Sequence, residues 1–107
     1  MAAIDPAQTV VPLADKLGLA VDTHLMKGQE KQIANVAMAA PGVVLVSWQH
    51  ELIRDIAGAI LGSLTDIPPS WPDGRFDVIW VFDHTGAGWQ FMQVPQLLLK
   101  GDRFDVI

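Results

Sequence analysis

Cysteine is absent from the 107-residue chain, which excludes disulfide staples, thiolate metal sites and cysteine nucleophiles and agrees with a reducing compartment. A basic excess is missing too. Seven Lys and Arg stand against twelve Asp and Glu, a formal charge of −5, so the attraction that drives binding to nucleic acid or anionic lipid is lacking. The first residues show no basic start followed by an apolar core, the pattern of a signal peptide. No apolar run reaches the roughly 18 residues that a membrane-crossing helix needs. The expectation is a soluble, cytoplasmic protein that engages neither nucleic acid nor membrane. What is present is apolar: 50% of the residues are hydrophobic, enough to bury one core and to make residues 1–107 a single domain.

The spacing of these apolar residues predicts the elements. Val10, Leu13, Ala14 and Leu17 recur at helical intervals, with Gly18 where a left-handed C-terminal residue is wanted. Thr9 as N-cap places Pro12 in the first turn, where its missing N–H removes only a donor that the helix leaves unpaired. Residues 19–25 read as a short strand. A second helix over residues 29–40 carries an apolar stripe of Ile33, Val36, Ala37 and Ala40 and stops before Pro41-Gly42. Val43-Val44-Leu45-Val46 is short, continuous and β-branched, as expected of a central strand covered on both faces in a parallel sheet. Residues 50–61 return to helical spacing through Ile53, Ile56, Ala57 and Ile60, and Gly62 follows as a stop.

Pro68, Pro69, Pro72, Asp73 and Gly74 make residues 63–74 a loop, to which Trp71 gives something to bury. Residues 76–82 then read as a strand. Thr85-Gly86-Ala87-Gly88 and the alternating Trp89-Gln90-Phe91-Met92-Gln93-Val94 complete a hairpin. The expected fold is α/β, with parallel strands and a C-terminal antiparallel hairpin. One pattern recurs: Asp73-Gly74-Arg75-Phe76-Asp77-Val78-Ile79 is nearly repeated as Gly101-Asp102-Arg103-Phe104-Asp105-Val106-Ile107. Two copies are too few for a solenoid. Coincidence and a tail that competes for the same sheet position, within one chain or between two, both remain open.

His50 is the leading candidate for chemistry. It follows a buried parallel strand and opens a helix, where doubly wound sheets hold ligands and where the helix dipole attracts anions. By pattern alone such a histidine can equally be a cap or a satisfied surface residue. Glu51 beside it is either a first-turn acid favoured by the dipole or a proton donor. Arg54, one turn on, reads as a solvated side chain or an ion-pair partner of Glu51 or Asp55. His24 and His84, with Asp22 and Asp83, lack the spacing of a zinc motif, and neither a metal nor another cofactor is expected. Trp48, Trp71, Trp80 and Trp89 read as core and sheet-edge residues.

The run Gly42-Val43-Val44-Leu45-Val46-Ser47-Trp48-Gln49-His50-Glu51 resembles the segment that carries the second active-site histidine of the histidine phosphatase superfamily, the phosphoglycerate mutase-like proteins. Pro6-Ala7-Gln8-Thr9-Val10-Val11-Pro12-Leu13-Ala14, with Leu17-Gly18-Leu19, resembles that family's helix beginning Arg-Pro-x-Gln-Thr. Trp71-Pro72 and Phe76-Asp77-Val78-Ile79-Trp80 resemble the loop and edge strand of its phosphatase-like members. The resemblance spans residues 5–100 and implies a partial three-layer α/β/α sandwich corresponding to the C-terminal half of such a domain. It also implies that His50 belongs to a phosphate site, with Glu51 similar to the acid of the His-Asp pair in the acid-phosphatase branch.

Departures from the family pattern are specific. The Arg-His-Gly turn whose histidine becomes phosphorylated is not among these residues, since the other histidines are His24 and His84. Asp5 stands where the family has a phosphate-gripping arginine, and its charge repels phosphate. The first strand of the family's sheet is also expected to be missing. Two functions follow: a phosphate-ester site, ancestrally transferring phosphate through a phosphohistidine and inactive alone, or a non-catalytic module acting through oligomerisation. An incomplete sheet exposes strand edges and apolar helix faces, so a homodimer, with or without exchange of residues 103–107, or a complementing N-terminal half is the expected partner.

Overall fold

The computed structural model describes residues 2–4, 11–18, 21–22, 25, 27–72, 74–75 and 77–107. Along the chain run β1 (Ala2–Ile4), α1 (Val11–Leu17), β2 (Val21–Asp22), α2 (Glu30–Ala39), β3 (Val44–Val46), α3 (His50–Leu61), β4 (Val78–Thr85) and β5 (Gly88–Pro95). This is a mixed α/β fold in which a parallel sheet of order β2-β1-β3 is followed by a separate antiparallel pair, β4-β5.

Two expectations about the sheet are corrected. Residues 2–4 supply a strand that sequence reading left out, and β1 is central, with Ala3 opposite both Val21 and Leu45. The segment expected to be a central strand, β3, therefore lies at the edge of the described sheet. An edge position suits its half-buried side chains. The strand read over residues 19–25 is described as strand only at Val21–Asp22.

Helix boundaries follow from local chemistry. The Glu30 carboxylate accepts the Gly28 N–H at 2.8 Å and fixes the turn leading into α2. Ala40, which precedes Pro41, is extended at φ −74° and ψ 139° because the proline ring disfavours helical geometry in the residue before it. At the end of α3, Gly62 takes φ 74° and its N–H bonds the Gly58 carbonyl at 2.9 Å, the left-handed cap for which glycine lacks a steric penalty.

A two-residue period puts Val44 and Val46 on one face of β3, and Val46 is the register partner of Ile4. Ile4, Ile33, Ala34 and Ile56 form the buried cluster, with Val44, Val46, Trp48, Met38 and Ile60 packed against it. One sheet face thus carries α2 and α3, which also pack on each other. The buried stripe of α2 is turned from the expected one: Ile33 and Ala34 are buried while Val36 faces outward. In α1 only Ala14 of the expected stripe is buried, and Leu13 and Leu17 are exposed. Val10 and the expected N-cap Thr9 lie outside the described residues.

β4 and β5 pair from Val78↔Pro95 to Thr85↔Gly88. Thr85 Oγ1 donates to the Gly88 carbonyl at 3.1 Å and accepts the Ala87 N–H at 3.3 Å, closing the turn. One face of the hairpin is aromatic. Trp80 meets Phe91 edge-on at 5.3 Å and Trp71 at 5.0 Å, so Trp71 ties the proline-rich loop to the hairpin, as its Nε1 does by donating to the Arg75 carbonyl at 2.8 Å. Arg54 adds a second tie. Its Nε donates to the Pro68 carbonyl at 3.1 Å, which ties α3 to the loop.

Candidate functional site

The order β2-β1-β3 means that the chain leaves β1 to one side and returns to the other, reversing direction across the sheet between β1 and β3. At such a reversal the connections leaving neighbouring strands diverge to opposite faces, and a crevice opens beyond their carboxyl ends. Ser47 N–H donates to the Ile4 carbonyl at 2.9 Å, carrying the ladder one bond past β3 and fixing where the chain departs. Trp48 then turns into the core. Gln49 is the N-cap of α3 and His50 its first residue. His50 therefore stands beyond the carboxyl end of β3, at the β1/β3 reversal.

Three features bear on what this position can do. Gln49 is extended at φ −65° and ψ 132°, and its side chain makes no capping hydrogen bond. The Leu52 N–H donates instead to the Gln49 carbonyl at 2.9 Å, and the first turn carries the positive end of a 12-residue helix. The His50 side chain is 41% exposed, its Nε2 lying 3.5 Å from Oε2 of Glu51, which is 51% exposed. A histidine that keeps water contact while touching a carboxylate can hold a proton or pass one on. Trp48 contributes a third feature: its Nε1 is buried with no hydrogen-bond partner.

The other sequence candidates are not gathered here. His84 is on β4 and meets Trp89 across the hairpin at a tilt of 47°, with ring centroids 4.9 Å apart. Asp83 lies opposite Gln90 in the same hairpin. His24 and Asp5 lie outside the described residues, as does the side chain of Asp22. Among the described residues no group of three His, Cys, Asp or Glu is placed to hold a metal ion. No helix among them is long and apolar enough to cross a membrane.

A second polar centre was visible in sequence only as a repeat. Arg75, 7% exposed, donates from Nε to Asp77 Oδ1 at 2.8 Å and from Nη2 to the Asp105 carbonyl at 2.6 Å. Arg103 N–H donates to Asp77 Oδ2 at 2.7 Å. A cavity of about 440 Å³ opens beside it, lined by Pro72, Arg75, Asp77, Lys100 and Arg103 among others. Both carboxylates are held below the ordinary range: Asp77 first by the Arg103 N–H and then by the Arg75 side chain, Asp105 first by the Arg103 side chain.

No family model, no curated protein and no solved structure matches the chain.

Proposed function

We propose that His50 and Glu51 belong to a phosphate-ester site of the histidine phosphatase kind, set in a partial α/β/α sandwich. The observation that carries this reading is the position of His50 at the β1/β3 reversal of a parallel sheet, on the first turn of a helix whose N-cap side chain makes no cap bond. The crossovers point the same way. Right-handed connections, the nearly universal hand, would set α1 and α2 on opposite faces of the sheet and make three layers.

In this site His50 contributes a hydrogen bond to a phosphoryl oxygen, while the positive end of the α3 dipole favours the same anion. Glu51 stands where, by the same resemblance, the complete family site would hold the acid that protonates the leaving alkoxide. The phosphate-accepting histidine of the family has no counterpart among these residues, so the chain alone binds phosphate without turning over an ester. Binding is the test: saturable binding of inorganic phosphate or orthovanadate that is lost in His50→Ala supports the site, and binding unchanged in that variant refutes it.

A second reading, a module that works through self-association, is favoured by one observation. Leu97, Leu98, Leu99 and Phe104 are all exposed, and apolar side chains clustered in this way mark contact surfaces.

A further inference from the structure

The two copies of the Arg-Phe-Asp-Val-Ile pattern meet in space. In each copy the arginine Nε donates to Oδ1 of the aspartate two residues on, at 2.8 Å in both, so the two copies share this local bond. The copies then bind each other. Arg75 Nη2 donates to the Asp105 carbonyl, and Asp77 Oδ2 accepts the Arg103 N–H. Further along, the Gln93 carboxamide addresses the backbone of the last residue from both sides: Nε2 donates to the Ile107 carbonyl at 3.0 Å, and Oε1 accepts the Ile107 N–H at 2.9 Å. Arg75, Asp77 and Gln93 thus form a receptor that reads the backbone of residues 103–107, anchored by a nearly buried guanidinium.

The connection that brings the tail back to this receptor is poorly satisfied. Leu97 takes φ 54°, a left-handed conformation that a leucine side chain disfavours. Leu98 and Leu99 are 78% and 76% exposed, and Phe104 within the tail is 83% exposed. The turn is closed by Asp102 Oδ2, which accepts the N–H groups of Leu98 and Leu99 at 2.8 and 3.0 Å. An extended connection would release the strain at Leu97 and give three leucines a surface to cover.

We propose that the Arg75–Asp77–Gln93 receptor is a docking site for residues 103–107 of a second copy of this chain, so that two copies exchange tails about a two-fold axis. Every hydrogen bond the tail makes in its own receptor is made again in its partner's, which is why exchange of an identical element is a low-cost route to a dimer. The closed form has the advantage of a short tether, which is worth an effective concentration in the millimolar range. Exchange therefore gains on closure as protein concentration rises, aided by the relief at Leu97 and the burial of Leu98, Leu99 and Phe104. This gives the self-association reading a specific form and is independent of His50.

Changing the connection separates the two arrangements. Leu97→Pro in the full chain locks φ at about −65° and so forbids the left-handed turn that returns the tail to its own receptor, while an extended connection to a partner's receptor stays allowed. Sedimentation equilibrium should then show the wild-type chain passing from monomer to dimer with concentration, and the Leu97→Pro chain forming the dimer at lower concentration. Deletion of residues 103–107 removes the exchanged element while leaving the receptor, and should leave a monomer at every concentration. Circular dichroism of each variant reports whether it is folded. A Leu97→Pro chain that is folded and no more dimeric than wild type overturns the proposal, as does a chain lacking residues 103–107 that associates as tightly as wild type.

Discussion

The backbone N–H of Arg103 lies 2.7 Å from Asp77 Oδ2, and the other oxygen of the same carboxylate accepts Arg75 Nε at 2.8 Å. One side chain thus joins the hairpin, the loop before it and the tail. Because these donors lower the Asp77 pKa below its ordinary 3.8 in the folded chain, its stabilisation is fully present above that value and is lost as pH falls through the folded-state pKa. Asp105 follows the same sign. The expected outcome is a tail that stays docked from neutral pH to about 4 and releases below it. Amide hydrogen exchange at Arg103 and Ile107 measured across pH 2 to 6, corrected for the intrinsic pH dependence of exchange, checks this; protection that persists unchanged at the acid end contradicts it.

Arg75 and Arg103 should differ under substitution although their sequence surroundings match. Arg75→Ala removes a nearly buried guanidinium and leaves Asp77 and the Asp105 carbonyl short of a donor, whereas the Arg103 side chain is largely exposed and its essential donor is backbone. Thermal unfolding is expected to show a clear loss for Arg75→Ala and little change for Arg103→Ala. Equal losses would show that the two copies carry equal weight.

Ile33 is 0% exposed and is the largest fully buried side chain described. It joins α2 to the cluster with Ile4 and Ile56. Ile33→Ala should cost about 2–5 kcal/mol and Ile33→Val about 1 kcal/mol, read by urea unfolding. A loss under 1 kcal/mol for the alanine variant would mean that the cluster is not the core.

Much of this architecture was legible in the sequence. The Pro41-Gly42 break, the 50–61 helix with its Gly62 stop and the hairpin turn at 85–88 each rest on local chemistry that the fold does not override. The misread parts depend on tertiary context. Ala2-Ala3-Ile4 is too short and too alanine-rich to announce a strand, yet it pairs with two neighbours and so demotes β3 from centre to edge. Val36 fits a helical stripe by spacing alone, and only the presence of α3 turns the buried face toward Ala34. For the site, the strand-His-helix order located His50, but the chain reversal that gives the position its meaning needs β1. Arg75 and Asp77 could have been suspected through the repeat, but Gln93 has no counterpart in it.

Glu51 sets the sign of a charge effect. It is exposed beside His50, and its carboxylate opposes an anion at the first turn of α3. Glu51→Gln is expected to tighten inorganic phosphate binding about threefold at low salt, with the gain shrinking as ionic strength rises. Isothermal titration at two salt concentrations checks both parts, and weaker binding in the glutamine variant would contradict the sign of this charge effect.

The phosphate site itself is tested most directly by following backbone and imidazole NMR signals while inorganic phosphate is added to the full chain. The account predicts saturable shifts of the His50 ring and of the Glu51 N–H, and loss of the Glu51 shift in His50→Ala. Shifts confined to Arg75, Lys100 and Arg103, with those at the start of α3 unmoved, would contradict it.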